Sequence, residues 1–192
     1  EDNYLWFLTD HMAPNRKVVR LDFNNINLGF EEIISETPLS IRSVDIINQN
    51  FVINYLNDTF SNIKYFSKEG KEIGSLELDS LGSISGFAGK KEDDSTFYSF
   101  TNFKQPNQIY KFNLLTGKSE LFWEENLSNF DPNNYETRLE FFPSKDGTLI
   151  PLHITHKKDL RIDSNTPVLL YGYGGFNISI LPRFSKRYLA WM

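Results

Sequence analysis

The run Tyr171-Gly172-Tyr173-Gly174-Gly175-Phe176 sets aromatic side chains among three glycines, and it holds most of the chemistry this chain offers. Glycine lets a backbone turn sharply and come close to a ligand, because no Cβ stands in the way. A tyrosine in such a turn can offer its O–H as a hydrogen-bond donor to negative charge developing on a reacting oxygen. Tyr173 is the residue placed for that role. The plain alternative is that Tyr173 packs while Gly172, Gly174 and Gly175 only make the turn, and the local pattern leaves both open.

Other suggestive combinations carry less. Gly172-Tyr173-Gly174 begins a dinucleotide-type G-x-G-x-x-G, but the last position is Asn177 and no acidic partner follows it. Gly82-Ser83-Ile84-Ser85-Gly86 resembles a nucleophile elbow, yet its central position is Ile84 rather than serine. His153 and His156 lie three apart on an expected strand, so their side chains leave opposite faces and cannot share a metal. Asp131 to Asn134 lacks the glycine and terminal glutamate of a calcium loop. Lys90-Lys91-Glu92-Asp93-Asp94 reads as a solvated hairpin tip. No metal site and no organic cofactor are expected.

Composition bounds the class. The chain has 192 residues, 40% of them hydrophobic and 23% charged, which is globular material for one or two domains. Aromatics reach 15%, with 17 Phe and 9 Tyr, and favour strands. A net charge of -5 gives no basic surface for nucleic acid or anionic lipid. The absence of cysteine rules out a disulfide framework and fits a reducing, cytoplasmic compartment. No apolar run approaches the roughly 18 residues of a membrane span, so no membrane partner is expected.

Two kinds of element must position the glycine turn. Thr137 to Phe142, Ile150 to Thr155 and Pro167 to Tyr171 read as three successive strands, the first two joined by a turn at Lys145-Asp146-Gly147. The third is apolar on both faces, as at the centre of a parallel sheet covered by helices. Three strands and a Gly-rich turn are how an α/β-hydrolase domain opens, and the loop after the third strand supplies part of its oxyanion hole.

Upstream, to about Asn126, the chain is all-β and weakly repetitive. Thr9-Asp10 and Pro14-Asn15 return as Thr101-Asn102 and Pro106-Asn107, both offset by 92 residues. Val19-Arg20-Leu21-Asp22 answers to Tyr110-Lys111-Phe112-Asn113, and a third version runs from Tyr55-Leu56-Asn57-Asp58 to Phe66. Half that offset, about 46 residues, suits propeller blades of four strands each. Generic antiparallel sheet is the competing reading. Turn signals fall at Lys68-Glu69-Gly70-Lys71 and Leu115-Thr116-Gly117-Lys118. Composition shifts at Asp131-Pro132-Asn133-Asn134, which sets the expected boundary near 130. The expected architecture is therefore all-β propeller blades over 1–130, then the first strands of an α/β-hydrolase domain over 131–192. Glu1 lies three residues before an aromatic strand and Tyr188 to Met192 is apolar, so the chain is expected to be a piece of a longer one.

Phe142-Pro143-Ser144-Lys145-Asp146-Gly147-Thr148, Ile150-Pro151, His156-Lys157-Lys158 and Leu170 through Ser179 together resemble the prolyl oligopeptidase family of serine peptidases. The likeness extends more loosely to Phe97-Tyr98-Ser99-Phe100-Thr101 and Asp22. It implies the last blades of a seven-bladed propeller capping a hydrolase domain that cleaves short peptides on the carboxyl side of proline. It implies that Tyr173 is the side-chain donor of the oxyanion hole and Phe176 a wall near the proline subsite. It also places the catalytic serine, aspartate and histidine beyond Met192, so this chain alone would be inactive. Its partners would be short proline-containing peptides and the rest of its own protein. Two rivals stay open, a non-catalytic propeller module that binds a partner and a sister peptidase of different specificity.

Overall fold

The computed structural model describes residues 3–176 and 178–192. Glu1 and Asn177, both used in the sequence reading, lie outside the described residues.

Consecutive strands pair antiparallel into a file of sheets. The first holds β1 (Tyr4–Thr9), β2 (Lys17–Asp22) and β3 (Phe30–Ile34). The second holds β4 (Ser40–Ile47), β5 (Asn50–Asn57), β6 (Phe60–Ser67) and β7 (Glu72–Ser75). The third holds β8 (Ser83–Ala88), β9 (Ser95–Thr101), β10 (Gln108–Asn113) and β11 (Lys118–Glu124). Equivalent strands of the second and third sheets start at 40 and 83, 50 and 95, 60 and 108, and 72 and 118. That spacing averages about 46 residues, the length of a four-stranded blade. The repeated turns fall at one structural position, since residues 9–15 join β1 to β2 and residues 101–107 join β9 to β10. Asn102 shapes the second of these, accepting from Lys104 N at 3.0 Å and Gln105 N at 2.8 Å.

The sheets stack face to face, and β5 shows why. Successive strand residues point to opposite faces. Phe51, Ile53 and Tyr55 enter one core with Val18, Ile34, Ile41 and Phe66, between the first and second sheets. Val52 enters another with Ile63, Ile84, Tyr98 and Phe112, between the second and third. Burying each such side chain is worth about 1.5–3 kcal/mol. Polar groups inside the second core are spent as stitches: Asn54 Nδ2 donates to Ile84 O at 3.1 Å, and Ile84 N donates to Ser61 Oγ at 2.9 Å. Gly70, in the β6–β7 turn, sits at φ +81, and a Cβ there would lie 2.0 Å from Ile33 O. The turn therefore presses directly on the end of β3. The outward faces of the first and third sheets keep apolar rings in view, with Phe7 against Phe30 and Phe97 against Phe122.

Beyond the third sheet, β12 (Tyr135–Pro143) and β13 (Leu149–Lys157) form a long hairpin, Tyr135 facing Lys157 and Pro143 facing Leu149. Its turn is held by Asp146, whose carboxylate accepts from the Ser144 hydroxyl and from Thr148 N. Those donors hold the Asp146 carboxyl down to about 2. The two expected strands are thus present and slightly longer than read.

The third is not. Pro167 to Tyr171 belongs to no sheet, and Val168 and Leu170 are 80% and 79% exposed. A strand apolar on both faces gains its stability from a ladder on each edge and cover on each face. Here it has neither: β12 and β13 pair only with each other among the described residues, and Val168 and Leu170 stand uncovered. The opening of a parallel α/β sheet is accordingly not formed here. One short helix, α1 (Lys186–Trp191), follows. Among the described residues no helix is long and apolar enough to cross a membrane.

Ile53 is fully buried in the first core. Ile53→Ala should lower unfolding free energy by about 2–5 kcal/mol in urea titration, whereas Leu115→Ala, on an exposed turn, should change it by no more than about 0.5 kcal/mol.

Candidate functional site

The glycine turn is carried between two anchors. On its N-terminal side the hairpin docks onto the sheets through His153. Thr59 Oγ1, in the β5–β6 turn, lies 2.6 Å from His153 Nε2, and the Phe103 ring, in the β9–β10 turn, packs 5.0 Å from the imidazole. On the C-terminal side Phe184 N donates to Thr101 Oγ1 at 3.2 Å, Phe184 packs against Phe130, and Lys186 pairs with Glu125 at 2.8 Å. The chain thus returns to the third sheet after the turn.

Within the turn, Gly174 takes φ +71 and Phe176 φ +53, and Ile178 N closes it on Gly175 O at 3.0 Å. The left-handed value at Gly174 is one that favours glycine. Around Gly172 and Gly174 an added Cβ would meet nothing within 4 Å. Gly174, Gly175, Phe176, Ile178 and Ser179 line an open concavity of about 390 Å³. Tyr173 is half exposed and Phe176 is 91% exposed. The structure thus brings Tyr173, Gly174, Gly175 and Phe176 to one accessible turn, with Tyr171 exposed before it.

The remaining candidates have structural places. Gly82 to Gly86 runs along β8, away from any strand-to-helix turn, and Ser85 Oγ shares a hydrogen bond with Ser99 Oγ at 2.8 Å. Asp131 caps the 3-10 turn Pro132–Asn134, accepting from Asn133 N at 2.9 Å. The tip at Lys90 to Asp94 is tied as well as solvated, because Asp94 accepts from Asn48 Nδ2 at 3.2 Å. His156 Nε2 lies 3.0 Å from Glu136 Oε1, on the face opposite His153. Among the described residues no group of three or more His, Cys, Asp or Glu could hold a metal ion. The docking role of His153 escaped the sequence reading, since Thr59 lies 94 residues away and no local pattern records the contact.

A file of stacked antiparallel sheets, one of three strands and two of four, followed by a docked hairpin and a glycine turn, defines a β-propeller protein with an appended segment. Residues 1–125 match the family described as the prolyl oligopeptidase N-terminal beta-propeller domain, and the chain belongs to that family. It is 38% identical to the prolyl endopeptidase of Elizabethkingia meningoseptica over 191 residues, covering 98% of this chain and 26% of that protein. It is 33% identical over 190 residues to prolyl oligopeptidase ophP of Omphalotus olearius, covering 96% and 25%. A solved prolyl endopeptidase superposes with a TM-score of 0.93 at 35% identity, covering all of this chain and 28% of its own. Prolyl oligopeptidase B of Galerina marginata, bound to a 35mer substrate, superposes with a TM-score of 0.89 at 26% identity, covering 96% and 26%. The chain spans about a quarter of the length of the curated relatives it matches.

Burial holds the His153 imidazole below its ordinary range. A group with a depressed folded-state pKa stabilises the folded arrangement above its unfolded value and loses that contribution as pH falls through the folded value. The hairpin contact should therefore be intact at neutral pH and weaken on acidification below it. Hydrogen exchange of β12 and β13 amides, corrected for intrinsic rate, should quicken between pH 7 and pH 5, and His153→Gln should flatten that dependence. Equal dependence in wild type and variant would show that His153 does not control docking.

Proposed function

We propose that this chain is part of a prolyl oligopeptidase-type serine endopeptidase that hydrolyses short peptides on the carboxyl side of proline. In this reading residues 1–130 are propeller blades and 131–192 open the α/β-hydrolase domain. The propeller family match over 1–125 carries the proposal, with Tyr171 to Phe176 standing directly downstream of the hairpin. The third sheet ending at Glu124 supports a boundary near 130.

The chemistry then divides as follows. Serine attacks the peptide carbonyl with histidine as base, both supplied from outside these 192 residues, in which no Gly-x-Ser-x-Gly occurs. Tyr173 donates its O–H to the oxyanion of the tetrahedral intermediate together with a backbone N–H. The exposed turn leaves the phenol accessible to substrate, and Gly174 supplies the conformation that lets the backbone approach. Phe176 forms a wall of the pocket beside the proline ring. No metal takes part in this scheme. The chain by itself is inert toward a Gly-Pro fluorogenic peptide; turnover by the isolated chain that a serine-directed reagent blocks would refute the reading.

Tyr173→Phe in the intact enzyme removes one O–H and keeps the ring. Loss of one oxyanion donor lowers kcat by about 10²–10³, and KM should move far less because the donor acts mainly in the transition state. Tyr171→Phe is the control and should stay near wild type. A Tyr173→Phe enzyme within a few-fold of wild-type kcat would remove the oxyanion role.

A further inference from the structure

The β9–β10 turn touches the appended segment on both sides of the glycine turn. Upstream, the Phe103 ring packs 5.0 Å from the His153 imidazole in β13. Downstream, Thr101 Oγ1 accepts from Phe184 N at 3.2 Å. One blade turn thus holds both ends of the stretch that carries Tyr173. The Thr101 hydroxyl is used in both directions, since it also donates to Gln105 O at 2.9 Å. Asn102, between Thr101 and Phe103, is buried and bolts the turn to the segment that enters β8. Its Nδ2 donates to Leu81 O at 3.2 Å and to Ser80 Oγ at 3.3 Å, while its Oδ1 accepts from Lys104 N and Gln105 N.

The returning chain is pressed down beside this seat. Pro182 is fully buried, and the Phe184 ring packs 5.4 Å from Phe130, which in turn packs 5.3 Å from Tyr135 at the start of β12. Between the anchors, Tyr171, Tyr173 and Phe176 are exposed, and an added Cβ at Gly172 or Gly174 would meet nothing within 4 Å. Among the described residues, where Tyr173 stands therefore follows from where the ends of its stretch are held. An oxyanion donor is sensitive to that placement, because it must meet the oxygen where the transition state puts it. We propose that Thr101 is a positioning residue for the oxyanion donor: through Phe184 it sets where Tyr173 stands, so a propeller blade contributes to catalysis without touching substrate. This rests on Tyr173 being the donor.

The test is a double-mutant cycle in the intact enzyme, read with a Gly-Pro fluorogenic peptide. Thr101→Val keeps the side-chain shape and removes the acceptor for Phe184 N, while Gln105 O retains the Asn102 N–H at 3.3 Å. It should lower kcat by about tenfold, less than the roughly 10²–10³ that loss of the donor itself costs. KM should stay within about twofold, because the donor acts mainly in the transition state. Thr101→Ser keeps Oγ and should restore kcat. In a Tyr173→Phe background Thr101→Val should cost nothing further, since the group it positions is gone. If Thr101→Val melts low enough to be partly unfolded at the assay temperature, Phe184→Leu takes its place; it keeps the N–H, loses the ring contact with Phe130 and carries the same expectation. Wild-type kcat in the folded variant would mean that other contacts place the turn. An equal loss in both backgrounds, or a loss carried by KM, would mean that Thr101 acts elsewhere. Each of these overturns the positioning role and leaves Tyr173 as the donor. If Tyr173→Phe alone leaves kcat near wild type, the donor assignment fails and the positioning role falls with it.

Discussion

Strand β5 is packed on both faces, so the second sheet cannot be placed without the first and the third. Phe51, Ile53 and Tyr55 commit one face to β2, β3 and β4, while Val52 commits the other to the sheet that begins at β8. Face-to-face stacking follows from this, and with it the fixed offset between turns that come to lie on one rim. The polar stitches from Asn54 and Ser61 to Ile84 set the register of the second and third sheets, because a slip would bury their donors and acceptors unpaired.

The rim is where the downstream segment attaches. Thr59 and Phe103 sit in equivalent strand-to-strand turns of neighbouring blades, and His153 bridges them. Thr101, one residue from the Asn102 turn, receives the backbone of Phe184. Blade turns thus serve twice, closing hairpins and seating the stretch that carries Tyr173. The glycine turn is held at its ends while its own side chains stay open to solvent.

The blades were legible in the sequence because strands and turns are local. Glycines at 70 and 117, and Asn102 two and three residues ahead of the amides it caps, all act within a few residues. The repeat near 46 residues followed from the same local units recurring. The hairpin at Asp146-Gly147 was equally readable, since Gly147 at φ +85 and the Asp146 carboxylate define the turn by themselves. Pro167 to Tyr171 misled for the opposite reason. Its apolar pattern describes what such a strand needs on its flanks, and those flanks come from other segments.

The sequence by itself determined the strand order, the turn chemistry, the blade period and the cluster of Tyr173, Gly174, Gly175 and Phe176, because each depends on neighbours along the chain. Only the tertiary structure decided which face of β5 meets which sheet, that His153 docks on Thr59 rather than facing solvent, and that Tyr55 is buried with Phe51 and Ile53 between the first and second sheets. Those outcomes depend on pairs tens of residues apart, and such pairs form only when burial of the two β5 faces has drawn the sheets together.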